Sequence, residues 1–180
     1  KLALVEIQPE LADMAKRSIA MNELTQRVSV IESDMKAIFE DIQPGSVETV
    51  LSNPPYFPLN ETTKTNHDKH YQLARHELTI DLPGLAQVVN KLLKNNGKFY
   101  MVHRPDRLAD IFAAFASRKL MIKRIQFVYG KANREANMVL IEAIKSGRPG
   151  GVRIMPPIIA YTSENNYTKA VSDILYGTSW

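Results

Sequence analysis

The feature that most constrains the fold of this 180-residue chain is an alternation of short apolar runs with helical stretches. An apolar run at residues 2–5 precedes a helical stretch from Pro9 to about residue 22, and further runs lie at residues 28–31 and 47–51. Such runs are typical of buried strands in a parallel sheet, and proline is favoured at the first helical turn. The alternation predicts an α/β fold, a Rossmann-like open sheet with mostly parallel strands and helices on both faces.

The second half of the chain continues this alternation and then departs from it. We expect a helix over residues 82–93 closed by Asn95-Asn96-Gly97, a strand over 98–103, a helix over 106–117, and strands over 121–129 and 138–144. The polar turn between the last two strands is too short for a parallel crossover. The sequence therefore predicts that the sheet ends in an antiparallel strand pair.

Composition predicts one catalytic domain over residues 1–146 and a tail over residues 147–180, which holds a glycine-rich linker and a short helix near its end. The chain is 44% hydrophobic, which suits a single core. It has no cysteine, no apolar run long enough to cross a bilayer and no recognisable signal peptide, so we expect a cytoplasmic protein without disulfides. The net charge of +4 is compatible with a polyanionic partner.

Polar residues follow three of the predicted strands, where ligands bind in open parallel sheets. Glu6 is placed to accept hydrogen bonds from ribose hydroxyls, or it is a solvated carboxylate at a strand end. Asp34 can accept a hydrogen bond from an adenine amine while Met35 packs on the ring, or Asp34 caps a helix that starts near Met35. Asn53 ends the third strand.

The segment Asn53-Pro54-Pro55-Tyr56 carries the chemistry of the site. A planar amine or amide nitrogen is a poor nucleophile, and accepting hydrogen bonds from both of its N–H groups favours the pyramidal form that attacks. The Asn53 side chain and the Pro54 carbonyl supply two acceptors, which the fixed proline backbone holds in place. Tyr56 offers a face for a stacked base. The alternative is an ordinary turn, which Asn-Pro often begins.

The tetrapeptide resembles the signature of class I S-adenosylmethionine-dependent amino-methyltransferases, and the wider pattern resembles the bacterial tRNA1(Val) adenine-N6 methyltransferases. The matching stretches are Val5-Glu6-Ile7-Gln8 with Asn22, Asp34, the segment from Asn53 to Phe57, Ala74-Arg75-His76-Glu77, Ala132-Asn133-Arg134-Glu135-Ala136 and Leu140-Ile141-Glu142. The resemblance implies that S-adenosylmethionine contacts Glu6, Ile7, Asp34, Met35 and Asn53. It also implies that Asn53 and Pro54 hold the target nitrogen, and that Tyr56 stacks on an adenine at position 37 of the tRNA anticodon loop.

The positions of basic and aromatic residues predict which parts of the chain would contact RNA. The residues that we expect to contact it are Pro55, Phe57, Arg75, His76, Lys131 and Arg134, and Arg148 and Arg153 are further cations in the tail. Each of these cations has the alternative of a solvated surface position. His67 and His70 have a ligand-like spacing without accompanying ligands, so we expect no metal.

Three other functions use related chemistry or none. A protein-glutamine methyltransferase uses the same tetrapeptide on a side-chain amide, and ribosomal RNA guanine methylation is a second alternative. The third is a catalytically silent RNA-binding module.

One feature of the family pattern is not found in these 180 residues. The glycine-rich loop that holds the methionine part of the cofactor should lie upstream of Leu2, and none of the eight glycines forms a Gly-x-Gly after a strand. The first apolar run therefore corresponds to the second strand of such a sheet. We expect a missing strand between the strands that end at Glu6 and Asn53, and hence no direct hydrogen bonding between those two.

Overall fold

The computed structural model describes residues 1–54 and 81–177, whose strands form two sheets. The smaller sheet pairs two strands in parallel, β1 (Leu2–Glu6) and β2 (Val28–Glu32). The larger sheet has the order β3-β4-β6-β5-β7, with β8 also paired to β5. Its strands are β3 (Val47–Ser52), β4 (Leu93–His103), β5 (Leu120–Tyr129), β6 (Ala136–Lys145), β7 (Arg153–Ile154) and β8 (Ile158–Ile159).

Four α-helices lie among the described residues, together with 3₁₀ turns at Ile38–Glu40 and Pro105–Arg107. The helices are α1 (Pro9–Met21), α2 (Leu82–Leu92), α3 (Leu108–Ser117) and α4 (Lys169–Tyr176). Asp81 caps α2, because its Oδ1 accepts a hydrogen bond of 2.8 Å from the Gly84 N–H, and a proline occupies the first turn. The predicted strand and helix order is thus confirmed for the described residues.

The strand directions agree with the sequence prediction. β3 and β4 run parallel, while β6 runs antiparallel to both β4 and β5, so the predicted antiparallel pair is confirmed. β1 and β3 belong to different sheets and are not hydrogen-bonded to each other, as expected. Their edges are open to solvent within the described part of the chain, and the Leu51 side chain in β3 is 71% exposed.

The core lies on one face of the larger sheet, where α2 and α3 pack against β4, β5 and β6. The rings of Phe99 in β4 and Phe115 in α3 are fully buried, with their centroids 5.4 Å apart. Alternate residues of β4 from Phe99 to His103 are buried, as the two-residue repeat of a strand requires. A second cluster links the small sheet to this core, because Ile31 of β2 packs with Ile38 and Val88.

Glu142 is a buried carboxylate in the middle of the larger sheet. It lies opposite Tyr100 and Arg124 on the two neighbouring strands, and the Arg124 Nε lies 3.4 Å from its Oε1. Burial, together with the hydrogen bond to Glu142, raises the pKa of the Tyr100 phenol. These cross-strand partners satisfy a group that would otherwise be costly to bury.

Two local expectations need correction. The apolar spacing of α1 predicts Leu11, Met14, Ala15 and Ile19 as its inner face, but Leu11 and Met14 are exposed, and the buried positions are Ala12 and Ile19. α1 contacts β1 and β2, and its sheet has no third strand among the described residues that could cover Leu11 and Met14. The second correction concerns the turn predicted at Asn95-Asn96-Gly97. These residues lie within β4, where the pairing with β3 is interrupted between the pairs Val47–Leu93 and Thr49–Lys98.

Glycine is required at this break. Asn96 adopts a left-handed conformation with φ of 62°, and a side chain at Gly97 would lie 2.9 Å from the Lys94 carbonyl oxygen and 3.2 Å from that of Glu48. The chain can therefore pass from α2 directly into β4.

The C-terminal tail adds to the larger sheet. After the glycine-rich linker, β7 and β8 each pair in parallel with β5, and neither strand was predicted from the sequence. The helix α4 follows, with Thr168 as its N-cap and the left-handed Gly177 at its end. The predicted short helix near the C-terminus is confirmed.

Candidate active site

The carboxyl ends of several strands meet at one edge of the larger sheet, which we call the carboxyl edge. β3, β4 and β5 run in the same direction, because β4 and β5 are both antiparallel to β6. Asn53, His103 and Gly130 follow or end these three strands, so they lie along the same edge. Residues from distant parts of the chain, among them the predicted Asn53, are therefore brought to one side of the sheet.

Asn53 and Pro54 occupy the end of β3. Asn53 is exposed, whereas Pro54 is buried, so the chain turns inward directly after the asparagine. A buried proline fixes the backbone at this point and restricts Asn53 to extended conformations. Pro55, Tyr56 and Phe57, which complete the predicted site, lie outside the described residues.

The small sheet presents Glu6 at its own carboxyl end. The Glu6 side chain is half-buried, and its Oε1 accepts a hydrogen bond of 2.9 Å from the Gln8 N–H. The Glu6 backbone carbonyl accepts another of 3.0 Å from the Ser33 N–H, which joins the ends of β1 and β2. Ile7 is half-buried beside it. This turn holds the carboxylate in one orientation while leaving part of it accessible.

Asp34 lies two residues beyond the end of β2 and is also half-buried. Its Oδ1 accepts a hydrogen bond of 2.8 Å from the Lys36 N–H, so the capping interpretation is supported, although the capped segment is a turn and not the expected α-helix. The other carboxylate oxygen has no hydrogen-bond partner among the described residues. Met35 packs against both core clusters. Asp34 therefore keeps an acceptor for a ligand.

His103 is a residue of the carboxyl edge that the sequence prediction missed. It is buried at the end of β4, and continuing the register of β3 and β4 places it beside Pro54. Its Nδ1 accepts a hydrogen bond of 2.8 Å from the Arg104 N–H, and burial lowers its pKa, so the ring is neutral near pH 7. The sequence does contain a signal that could have identified it, because His103 is a polar residue at the end of a predicted strand, like Glu6 and Asn53.

The predicted basic residues fall into separate groups. Lys131 and Arg134 lie in the turn between β5 and β6, at the same edge as Asn53, and Arg134 is exposed with no ion pair among the described side chains. Arg148 lies near the opposite edge, because its carbonyl accepts a hydrogen bond from Lys123 early in β5, and Arg153 pairs with the middle of that strand. Arg75 and His76 lie outside the described residues.

The described part of the chain offers neither a metal-ligand group nor a helix that could span a membrane. Within residues 1–54 and 81–177, no three histidine or acidic side chains are grouped as metal ligands, while His67 and His70 fall outside these ranges. None of the helices in the same ranges has the length and apolar character that crossing a membrane requires.

Several characterised proteins resemble this chain in sequence, although no family model matches it. The tRNA1(Val) (adenine(37)-N6)-methyltransferase of Porphyromonas gingivalis is 26% identical over 140 residues, which is 77% of this chain and 54% of that protein. The enzyme of the same name from Aeromonas hydrophila is 30% identical over 142 residues, covering 78% of this chain and 57% of that protein. The chain thus spans about half the length of these relatives.

Solved structures show the fold. A predicted O-methyltransferase from Agrobacterium tumefaciens superposes on 98% of this chain with a TM-score of 0.73, at 22% identity and over 77% of its own length. A SAM-dependent methyltransferase from Aquifex aeolicus superposes on 80% with a TM-score of 0.55, at 12% identity and over 68% of its length. The chain therefore has a class I methyltransferase fold, and about three quarters of its length is similar in sequence to the tRNA1(Val) (adenine(37)-N6)-methyltransferases.

Proposed function

We propose that the protein containing this chain is an S-adenosylmethionine-dependent RNA methyltransferase that modifies the N6 amine of adenine. The observation that carries the proposal is the placement of exposed Asn53 and buried Pro54 at the end of β3, in a chain with a methyltransferase fold. Ligands of open α/β sheets bind at such strand ends. The names of the sequence relatives supply the reaction and the nucleotide.

The groups at the end of the small sheet are chemically suited to S-adenosylmethionine. The half-buried Glu6 carboxylate can accept hydrogen bonds from two ribose hydroxyls, and the open oxygen of Asp34 can accept one from the adenine amine. Ile7 and Met35 supply apolar surface beside these acceptors. When bound, the cofactor supplies an electrophilic methyl group on a positively charged sulfur.

Asn53 and Pro54 would activate the target nitrogen. The Asn53 side-chain carbonyl accepts one N–H of the adenine amine and the Pro54 backbone carbonyl accepts the other, which localises the lone pair on nitrogen. With Glu6 and Asp34 holding the cofactor, the nitrogen would take the methyl group from its sulfur, the carbon–sulfur bond would break, and the surplus proton would pass to water. No metal or covalent enzyme intermediate is needed. Tyr56 would stack on the base that enters this site.

Lys131 and Arg134 favour RNA over a protein substrate. Both lie along the carboxyl edge, where they can neutralise phosphates that flank the target base. A protein-glutamine methyltransferase would need no cations there. We propose a tRNA anticodon loop as the RNA, because the relatives act on adenine 37 of tRNA according to their names and because loops expose unstacked bases.

The full-length gene product, incubated with methyl-labelled S-adenosylmethionine, tests these alternatives directly. Total tRNA, ribosomal RNA and a peptide release factor are offered as separate substrates, and labelled nucleosides are identified by mass spectrometry. We expect N6-methyladenosine in tRNA, and its loss from tRNA of a deletion strain. Label in the release factor, or N2-methylguanosine in ribosomal RNA, would replace the proposal with one of its rivals. Cofactor binding without any transfer would favour the silent RNA-binding module.

A further inference from the structure

Two tyrosine rings at the far end of the carboxyl edge are arranged like a stacking platform. The Tyr161 and Tyr167 rings lie with their centroids 5.1 Å apart and their planes 21° from parallel. Both residues remain accessible, with 39% and 45% of their surface exposed. Aromatic rings that are fixed and exposed in this way are the usual surfaces on which single-stranded nucleic acids stack their bases.

The rings are held in place before any ligand binds. Tyr161 and Tyr167 are antiparallel partners across a short hairpin, and the Thr162 N–H closes it by donating to the Asn166 carbonyl at 2.9 Å. A side-chain hydrogen bond with Tyr161 raises the pKa of the Tyr167 phenol. The Thr168 hydroxyl donates to the Ile159 carbonyl at 2.6 Å and anchors the hairpin to β8. A preorganised pair loses little entropy on binding.

The pair lies on the same edge of the sheet as the proposed reaction site. β8 runs parallel to β5, and the Tyr161 N–H donates to the Gly130 carbonyl at 3.0 Å, directly after the end of β5. From β3 the order of strands is β4, β6, β5 and β8, which makes four strand spacings. At about 4.8 Å for each spacing, Tyr161 lies about 20 Å from Asn53 along the edge. A strand of several nucleotides can span that separation.

The charges beside the hairpin are of both signs. The Lys131 Nζ lies 3.3 Å from the Ser163 carbonyl, so the β5–β6 turn contacts the hairpin that carries the two tyrosines. Arg134 is exposed in the same turn. Glu135 and Glu164 are exposed nearby and reduce the net positive charge. Base stacking on the exposed rings can therefore add to RNA affinity here without relying on phosphate neutralisation.

We propose that the Tyr161–Tyr167 pair binds a nucleobase in a single-stranded part of the RNA substrate, several nucleotides from the target adenine. The proposal rests on the proposed function, since it assumes that RNA is the substrate. It adds a second recognition point, so that RNA is held at both ends of the carboxyl edge. It also gives a role to the C-terminal tail, whose strand β8 positions the pair.

The experiment measures binding of a fluorescent single-stranded RNA to the full-length protein by anisotropy. Base–aromatic stacking predicts that Tyr161→Leu with Tyr167→Leu weakens binding about 5- to 150-fold. The Tyr161→Phe and Tyr167→Phe pair should restore most of the affinity, because the ring faces remain. Tyr176→Leu is the matched control, since Tyr176 is an exposed tyrosine on α4 outside the proposed subsite and its replacement should leave RNA affinity unchanged.

A series of RNAs, each with one base removed from the backbone, separates a direct role from general damage to the fold. In the wild-type protein, one position away from the target adenine should weaken binding when its base is absent. In the double leucine variant that same removal should have no further effect, because the rings on which the base would stack are already absent. Equal affinity of the leucine variant and the wild type, or fully additive losses, would overturn the subsite while methyl transfer to RNA still upholds the proposed function. Absence of both RNA binding and RNA methylation would overturn both.

Discussion

The two sheets contain strands of similar apolar character but bury them very differently. Every residue of β1 except Glu6 is exposed, whereas Phe99, Met101 and His103 of β4 are almost completely buried. β4 is paired on both sides and covered by α2 and α3, while β1 is paired only with β2 in the described structure. An apolar run thus predicts a strand, but the number of covering neighbours decides how much burial stabilises it.

The two sheets also carry different halves of the proposed chemistry. The small sheet presents Glu6 and Asp34, which are suited to the cofactor, and the large sheet presents Asn53, Lys131 and Arg134, which are suited to the target base and its phosphates. The comparison leads to separable predictions, since changes in one sheet should alter cofactor binding and changes in the other should alter turnover or RNA affinity.

The largest expected effect tests the difference in burial. Phe99→Ala should lower the free energy of unfolding by about 3–5 kcal/mol, because it leaves a cavity in the closed core of the large sheet. Leu4→Ala is the matched change in β1, where Leu4 is already 39% exposed, and it should cost about 1 kcal/mol or less. Denaturant titration of both variants of this 180-residue chain measures the two values. A Leu4→Ala loss as large as that of Phe99→Ala would break the comparison and show that β1 is covered in solution.

The next effect tests the assignment of chemistry to the large sheet. Asn53→Ala should reduce the rate of methyl transfer about 10²- to 10³-fold, since one acceptor for the developing charge on nitrogen is removed. Cofactor affinity should fall by much less. Single-turnover kinetics and calorimetric binding of the cofactor measure the two quantities. Gln43→Ala, an exposed amide before β3, is the control, and near wild-type turnover by Asn53→Ala would contradict the assignment.

The third effect tests the small sheet. Glu6→Ala should weaken binding of S-adenosylmethionine by about 1.5–3 kcal/mol, the typical contribution of hydrogen bonds to a charged group. Calorimetry on the full-length protein gives this value, with Glu10→Ala in the exposed first turn of α1 as the control. If Glu6→Ala binds the cofactor normally and loses only RNA affinity, the division of roles between the sheets is wrong.

The smallest effect concerns phosphates at the carboxyl edge. Changing Lys131 and Arg134 together to alanine should reduce the slope of log affinity for RNA against log salt by up to about 0.7 for each phosphate that is no longer neutralised. The matched variant changes Arg148 and Arg153, which lie away from this edge, and should leave the slope unchanged. An equal reduction of the slope in both variants would show that RNA is attracted by the net positive charge of the protein surface and not by a defined phosphate site at the carboxyl edge.

Much of the fold could be predicted from the sequence alone, as could the positions of several candidate site residues at strand ends. Apolar runs of a few residues specify strands, and Pro9 together with the Asp81 cap specifies where helices begin, because these signals are local. The polar residues Glu6, Asp34 and Asn53 mark strand ends for the same reason. The short turn between β5 and β6 fixed an antiparallel pair, since no parallel connection of that length can be made.

Only the tertiary structure decided which of these groups share an edge and which side chains are buried. The pairing of β7 and β8 with β5 was invisible in the sequence, because two-residue strands have no periodicity, and it is this pairing that brings Tyr161 and Tyr167 to the carboxyl edge. Arg134 and Arg148 are both candidate phosphate ligands in the sequence, but the direction of β5 places Arg134 at the carboxyl edge and Arg148 near the opposite edge. His103 became part of the site through burial beside the end of β3. Each of these outcomes depends on contacts between residues far apart in the chain, which local sequence patterns do not encode.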